Sequence, residues 1–100
     1  MKKVYLLRTN DKYKIGIAKD VNKRIKQLQT GNSEEIELIE TFESEYANKI
    51  EKALHNKYAY VNKIGEWFTL SLSEEVNFVN ECTRIENNIK TLIEHGNEFI

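Results

Sequence analysis

The chain has 100 residues, 40% hydrophobic and 31% charged, with a net charge of −1, which fits one soluble globular domain with a modest core. Cys82 is the only cysteine, which excludes an intramolecular disulfide, and with two histidines, His55 and His95, the ligands are too sparse for a structural zinc site. No stretch approaches the ~20 apolar residues of a membrane span, and the N-terminus lacks the apolar run of a signal peptide, so the expectation is a cytoplasmic protein with no membrane partner.

Lys3–Thr9 and Lys12–Ile17 read as strands around Asn10-Asp11, a turn-prone pair. A loop of two or four residues sets Val4 opposite Ile17 and Leu6 opposite Ile15 on an apolar face. Tyr5 then lies opposite Gly16, and Leu7 opposite Lys14, on the other face. Gly16 leaves open space beside the Tyr5 ring. Tyr13, by strand alternation, points away from this face.

Asp20 is a good N-cap for a helix over Val21–Gln29. Val21, Ile25 and Leu28 follow helical spacing and face the core. Arg24 lies about 60–70° off that stripe, where a long side chain can cross the sheet surface. Thr30-Gly31-Asn32 ends the helix. Up to this point the chain is strongly basic: residues 1–32 carry nine lysines and arginines against two aspartates, while the remainder is acidic by eight charges. Such segregation suggests a basic face for an anionic partner.

Glu35–Glu43 alternates imperfectly as a third strand, with Ile39 and Glu40 on the wrong faces. Ser44 can cap a second helix through about Tyr58, with Tyr46, Ala47, Ile50, Ala53 and Leu54 as its apolar stripe. Glu51 and His55 share one flank of it. Gly65 precedes a short strand-like Glu66–Leu70. Ser71-Leu72-Ser73-Glu74 has the form of a capping box and opens a last helix to about Glu94, with Gly96 as terminator. Phe78, Cys82, Ile85, Ile89 and Leu92 form its apolar seam. That seam packs back on the domain or makes a dimer contact.

Five segments in this order resemble the GIY-YIG nuclease superfamily, in its small phage and bacterial branch typified by an orphan phage T5 reading frame. They are Val4-Tyr5-Leu6-Leu7, Lys14-Ile15-Gly16, the run Lys23-Arg24-Ile25-Lys26-Gln27-Leu28-Gln29-Thr30-Gly31-Asn32, Glu51-Lys52-Ala53-Leu54-His55 and Gly65-Glu66-Trp67-Phe68. The likeness covers roughly residues 3–72. It implies that Tyr5 orients or deprotonates an attacking water, that Arg24 contacts the scissile phosphate and that Glu51 binds a divalent metal. Gly16 matches the glycine of the second signature. Lys14 stands where that signature has its tyrosine, and Lys3-Val4 replace the Gly-Ile of the first.

These residues suit phosphodiester hydrolysis. A hard Mg²⁺ or Mn²⁺ needs one carboxylate, with waters and phosphate oxygens completing its shell, and Glu51 offers it. Arg24 presents a planar donor fork to a phosphate. A phenol is a weak acid, so Tyr5 needs the cationic setting that Lys14 and Arg24 provide before it can accept a proton. His55, one turn after Glu51, could relay a proton or bind phosphate. Glu66 is a further carboxylate that could face the site.

The expected fold is α/β (α+β): a three-stranded, mainly antiparallel sheet with flanking helices. Residues 1–72 form the nuclease-like domain, and residues 73–100 an added helix packed on it or at a dimer contact. The expected function is a metal-dependent DNA endonuclease acting on double-stranded DNA, as a monomer or as a homodimer through the last helix. The residues themselves do not separate DNA from RNA. Lys14 and the acidic remainder favour a second reading, a catalytically weak nucleic-acid-binding or protein-interaction module that keeps the fold. A regulator acting through the last helix is a third.

Overall fold

The computed structural model describes residues 1–58, 63–64 and 67–96. The hairpin forms in the expected register. Strand β1 (Lys3–Thr9) pairs antiparallel with β2 (Lys12–Ala18), setting Val4 opposite Ile17, Tyr5 opposite Gly16, Leu6 opposite Ile15 and Leu7 opposite Lys14. Asn10 takes a left-handed φ of 53° in the two-residue loop, a conformation asparagine tolerates better than most residues.

Helix α1 (Val21–Thr30) follows. Asp20 caps it as expected: its Oδ1 accepts from Lys23 N–H at 3.0 Å, a bond of a kind worth about 1 kcal/mol. Gly31 closes the helix.

Strand β3 (Glu37–Glu43) pairs with the free side of β1 and begins two residues later than expected. The residues before it are bonded elsewhere: Thr9 Oγ1 donates to Glu35 C=O, and Ile36 N–H donates to the Gln29 side chain. The broken alternation has a physical cause. Leu6 faces Glu40 but Leu7 faces Leu38, so Ile39 is the extra residue of a β-bulge. The bulge lets Ile39 pack on the core while Glu40 stays exposed.

Helix α2 (Ala47–Lys57) also starts late. Ser44 is not its N-cap. The Ser44 hydroxyl accepts from Tyr46 N–H at 3.0 Å, two residues on, which makes a serine turn ahead of the helix. Two very short strands, β4 (Lys63–Ile64) and β5 (Trp67–Phe68), then widen the sheet. Among the described residues it has five strands in the order β3-β1-β2-β5-β4, antiparallel at every pairing, rather than three. The strand expected over Glu66–Leu70 shrinks to Trp67–Phe68; Gly65 and Glu66 lie outside the described residues.

The last helix is two. The Ser71 capping box forms, with Glu74 N–H bonded to the Ser71 hydroxyl and Ser71 N–H to the Glu74 carboxylate, but α3 runs only over Leu72–Val76. The break falls at Asn77, whose main-chain N–H and side-chain amide both donate to the Ser73 carbonyl, at 3.0 and 2.9 Å. Helix α4 (Phe78–Glu94) continues, and Gly96 ends the run with a φ of 75°.

The sheet has a core on each face. Val4, Leu6 and Ile15 meet Ile50 and Leu54 of α2 and Phe78, Cys82, Ile85 and Ile89 of α4. Tyr5, Leu7, Val21 and Ile36 lie on the other face, beneath α1. Four of the five seam residues of α4 are thus buried on the domain, and Leu92 is half-buried. None of the described helices is long and apolar enough to cross a membrane.

Candidate functional site

The site forms along the outer edge of β2, past its described pairing with β5. In an antiparallel pair, alternate residues turn their main-chain groups toward the partner and away from it. Thr9 and Lys12 close the two-residue loop, so Tyr13, Ile15 and Ile17 turn theirs away from β1. Tyr13 uses this outer edge to pair with Phe68 of β5. Ile15 has no strand partner there among the described residues; instead its carbonyl takes a hydrogen bond from His55 Nε2 at 2.9 Å. Helix α2 thereby stands beside this edge of β2.

Tyr5 reaches the same edge from inside the sheet. Its ring crosses Gly16, where a Cβ would lie 2.5 Å from Tyr5 Cζ and closer still to Oη. Only glycine permits that crossing. Tyr5 is 2% exposed, yet its hydroxyl makes no bond to a described residue and is not sealed from solvent. It opens onto the cleft.

That cleft, of about 320 Å³, is lined by Tyr5, Lys14, Ile15, Gly16, Ile17, Arg24, Glu51 and His55. The six described residues that the sequence singled out for the site therefore meet at one place. They arrive from β1, β2, α1 and α2, and from both faces of the sheet. Glu66, the remaining one, lies outside the described residues.

Each side chain is held differently. Lys14 is buried at 6% exposure, with Nζ 5.8 Å from the centre of the Trp67 ring, a cation–π arrangement. Arg24 is exposed, and its guanidinium has one long bond, 3.4 Å to Gln27 Oε1. Glu51 is half-buried and has no hydrogen bond or ion pair with another described residue. His55 packs edge-on against Phe68, ring centres 5.2 Å apart. A carbonyl only accepts, so His55 Nε2 carries the proton toward Ile15 and the neutral ring keeps Nδ1 as its acceptor.

Tyr13 does not enter the cleft. Its hydroxyl donates to Glu75 Oε1 at 2.7 Å on the opposite face, and Arg8 Nη1 donates to the same oxygen at 2.9 Å. Burial, then the bond to Glu75, raises the Tyr13 phenol above its ordinary pKa. It cannot stand in for a tyrosine at position 14.

Sequence reasoning did not place Trp67 beside the site: the residue packs on the core beneath α1, and its ring lies next to Lys14 Nζ. Parity along β2 could have suggested it, because Lys14 and Gly16 share a face. The pairing of β5 with β2 has no local signature. It missed the main chain of Ile15 and Ile17 as well. No set of three His, Cys, Asp or Glu side chains suited to a metal ion occurs among the described residues, and of those residues Glu51 is the one carboxylate lining the cleft.

Comparison with known proteins gives one result: the family model described as the T5orf172 domain matches residues 2–83. The match runs into α4, beyond the stretch that the sequence motifs cover. No curated protein and no solved structure matches the chain.

Proposed function

The chain belongs to the T5orf172 domain family, and from that premise we propose that it is a divalent-metal-dependent DNA endonuclease of GIY-YIG type. The family derives from a phage reading frame and is associated with nuclease-like and DNA-binding domains. The observation that carries the reading is the meeting of Tyr5, Lys14, Arg24, Glu51 and His55 in one cleft.

The residues fit a hydrated Mg²⁺ or Mn²⁺. Glu51 is a carboxylate without a partner among the described residues, and such ions take one or two carboxylates and complete their shell with water and phosphate oxygens. Bound there, the ion would offset charge on the leaving oxygen as a Lewis acid. The chain's own groups do the rest. Arg24 has free donors on a planar fork and grips non-bridging phosphate oxygens. Lys14 adds a fixed positive charge beside the phosphate. Tyr5 Oη, facing the cleft, orients the attacking water and, acting in its phenolate form, takes that water's proton to become the phenol. His55 holds or passes a proton at Nδ1, because its Nε2 proton is committed to Ile15.

Nicking of supercoiled plasmid DNA with Mg²⁺ or Mn²⁺ tests this. We expect metal-dependent nicking by the wild type and a loss of about a hundredfold or more in Glu51→Ala, the scale of several kcal/mol of charge stabilisation. Identical, metal-independent background in both would end the enzyme reading. A second reading has its own support. Lys14 occupies the tyrosine position, and Tyr13 is bonded to Glu75 on the opposite face. That favours a catalytically weak nucleic-acid-binding or protein-interaction module. DNA binding by both proteins without nicking by either would establish a binding module.

A further inference from the structure

The last turn of the pleat in β2 leaves a main-chain donor with no acceptor among the described residues. Ile17 follows Tyr13 and Ile15 in turning its N–H and C=O away from β1. Tyr13 pairs with Phe68, and Ile15 is held by His55. Ile17 N–H has no acceptor among the described residues. The residue lines the cleft beside Lys14, Arg24 and Glu51.

An unpaired main-chain donor at a half-buried position is ordinarily met by a ligand or water. Among the described lining residues two cations, Lys14 and Arg24, stand against one carboxylate, Glu51, so a ligand that fits is an anion with several oxygens. We propose that the Ile17 main-chain N–H is a phosphate-binding donor, taking a non-bridging oxygen of the same nucleic-acid phosphate that Arg24 grips. The proposal rests on the nucleic-acid reading above and adds a contact to it.

Three features favour this use. The donor is rigid: Ile17 is paired with Val4 and its side chain packs on the main core, so little freedom is lost when it binds. The donor also sits next to Gly16, where the absent Cβ lets Tyr5 Oη reach the same spot. The edge is a poor site for an added strand, because the Ile15 carbonyl that a strand would need is already taken by His55. The Ile17 carbonyl faces the same way and suits a water of a hydrated cation. A main-chain contact reads no base, so this donor would position the phosphate backbone without selecting sequence.

The test uses the full, ¹⁵N-labelled chain titrated with a short DNA duplex without divalent metal. Ile17 amide exchange with solvent should slow by about tenfold or more at saturation, the scale of a hydrogen bond to a charged group. In the nicking assay, Ile17→Pro should lose about tenfold more than Ile17→Ala, which keeps the N–H and gives up the same packing. The proposal fails if DNA shifts the Gly16 and Arg24 amides but leaves Ile17 exchange unchanged, or if the two variants nick alike. Ile17 protection without nicking by the wild type would support this contact while ending the enzyme reading. No DNA-induced change anywhere in the cleft would overturn both.

Discussion

Gly16 and Tyr13 show how single residues set this site. A methyl group on Gly16 would meet a ring that is 2% exposed and would have to shift it. Gly16→Ala should cost about 1–3 kcal/mol of stability, as overpacking does, and displace Tyr5 Oη from the cleft. Thermal melts and nicking rates should fall together. Tyr13→Phe makes the opposite case. It removes a buried hydroxyl bonded to Glu75, so stability should drop by about 1 kcal/mol while nicking is retained. Loss of nicking in a folded Tyr13→Phe protein would mean that this tyrosine serves the chemistry. The positions of Tyr5, Lys14 and Gly16 were legible in the sequence because a period of two and a short loop leave one register that buries Val4, Leu6, Ile15 and Ile17 together. Glu51 and His55 were legible only through helical spacing and the resemblance. Nothing local says that α2 must stand at the β2 edge; the His55 bond to Ile15 does that across forty residues of chain.

Among the elements, strands and helix stripes followed the sequence pattern, while starts and breaks followed side-chain hydrogen bonds. Ser44 looked like a cap and made a turn, and Asn77 looked like any polar position and broke a helix. In both cases a short polar side chain competes for main-chain groups, and tertiary packing decides the winner. The bulge at Ile39 is of the same kind: the sequence registered a fault in the alternation but could not show that an extra residue had been accommodated. Helix α4 makes a testable contribution through Cys82. Burial, with help from Glu81 and Glu86, pushes this thiol up to about 12 from an ordinary value of 9.0. The folded state therefore keeps its proton when the unfolded chain has lost it. The stability involved is intact below about pH 9 and drains away as pH rises toward 12. Denaturant midpoints should fall between pH 8 and pH 10.5, and Cys82→Ala should flatten that fall. An equal slope in both proteins would assign the effect to other groups.

Across the whole molecule, the segregated charge acquires a location. The basic first third supplies β1, β2 and α1, which bring Tyr5, Lys14 and Arg24 to the cleft, while acidic side chains such as Glu37 and Glu75 hold Arg8 elsewhere. Not every early cation is therefore available to a partner. DNA affinity should weaken as salt rises, and Arg24→Gln should lower the log–log slope by about one while leaving the fold intact. An unchanged slope would place Arg24 away from phosphate. The mixed α+β architecture and its antiparallel sheet were legible from composition and periodicity. Of the two outer strands, β5 was anticipated as a short strand but not its pairing with β2, and β4 was not anticipated at all, because two-residue strands carry no period and are defined only by the partners they find.

The crossing of Tyr5 over Gly16 also couples the two positions. Neither position can drift alone: a side chain at 16 excludes the ring, and a smaller residue at 5 leaves a void above the strand. The two side-chain sizes therefore act as one variable, and a double change at 5 and 16 should differ from the sum of the two single changes.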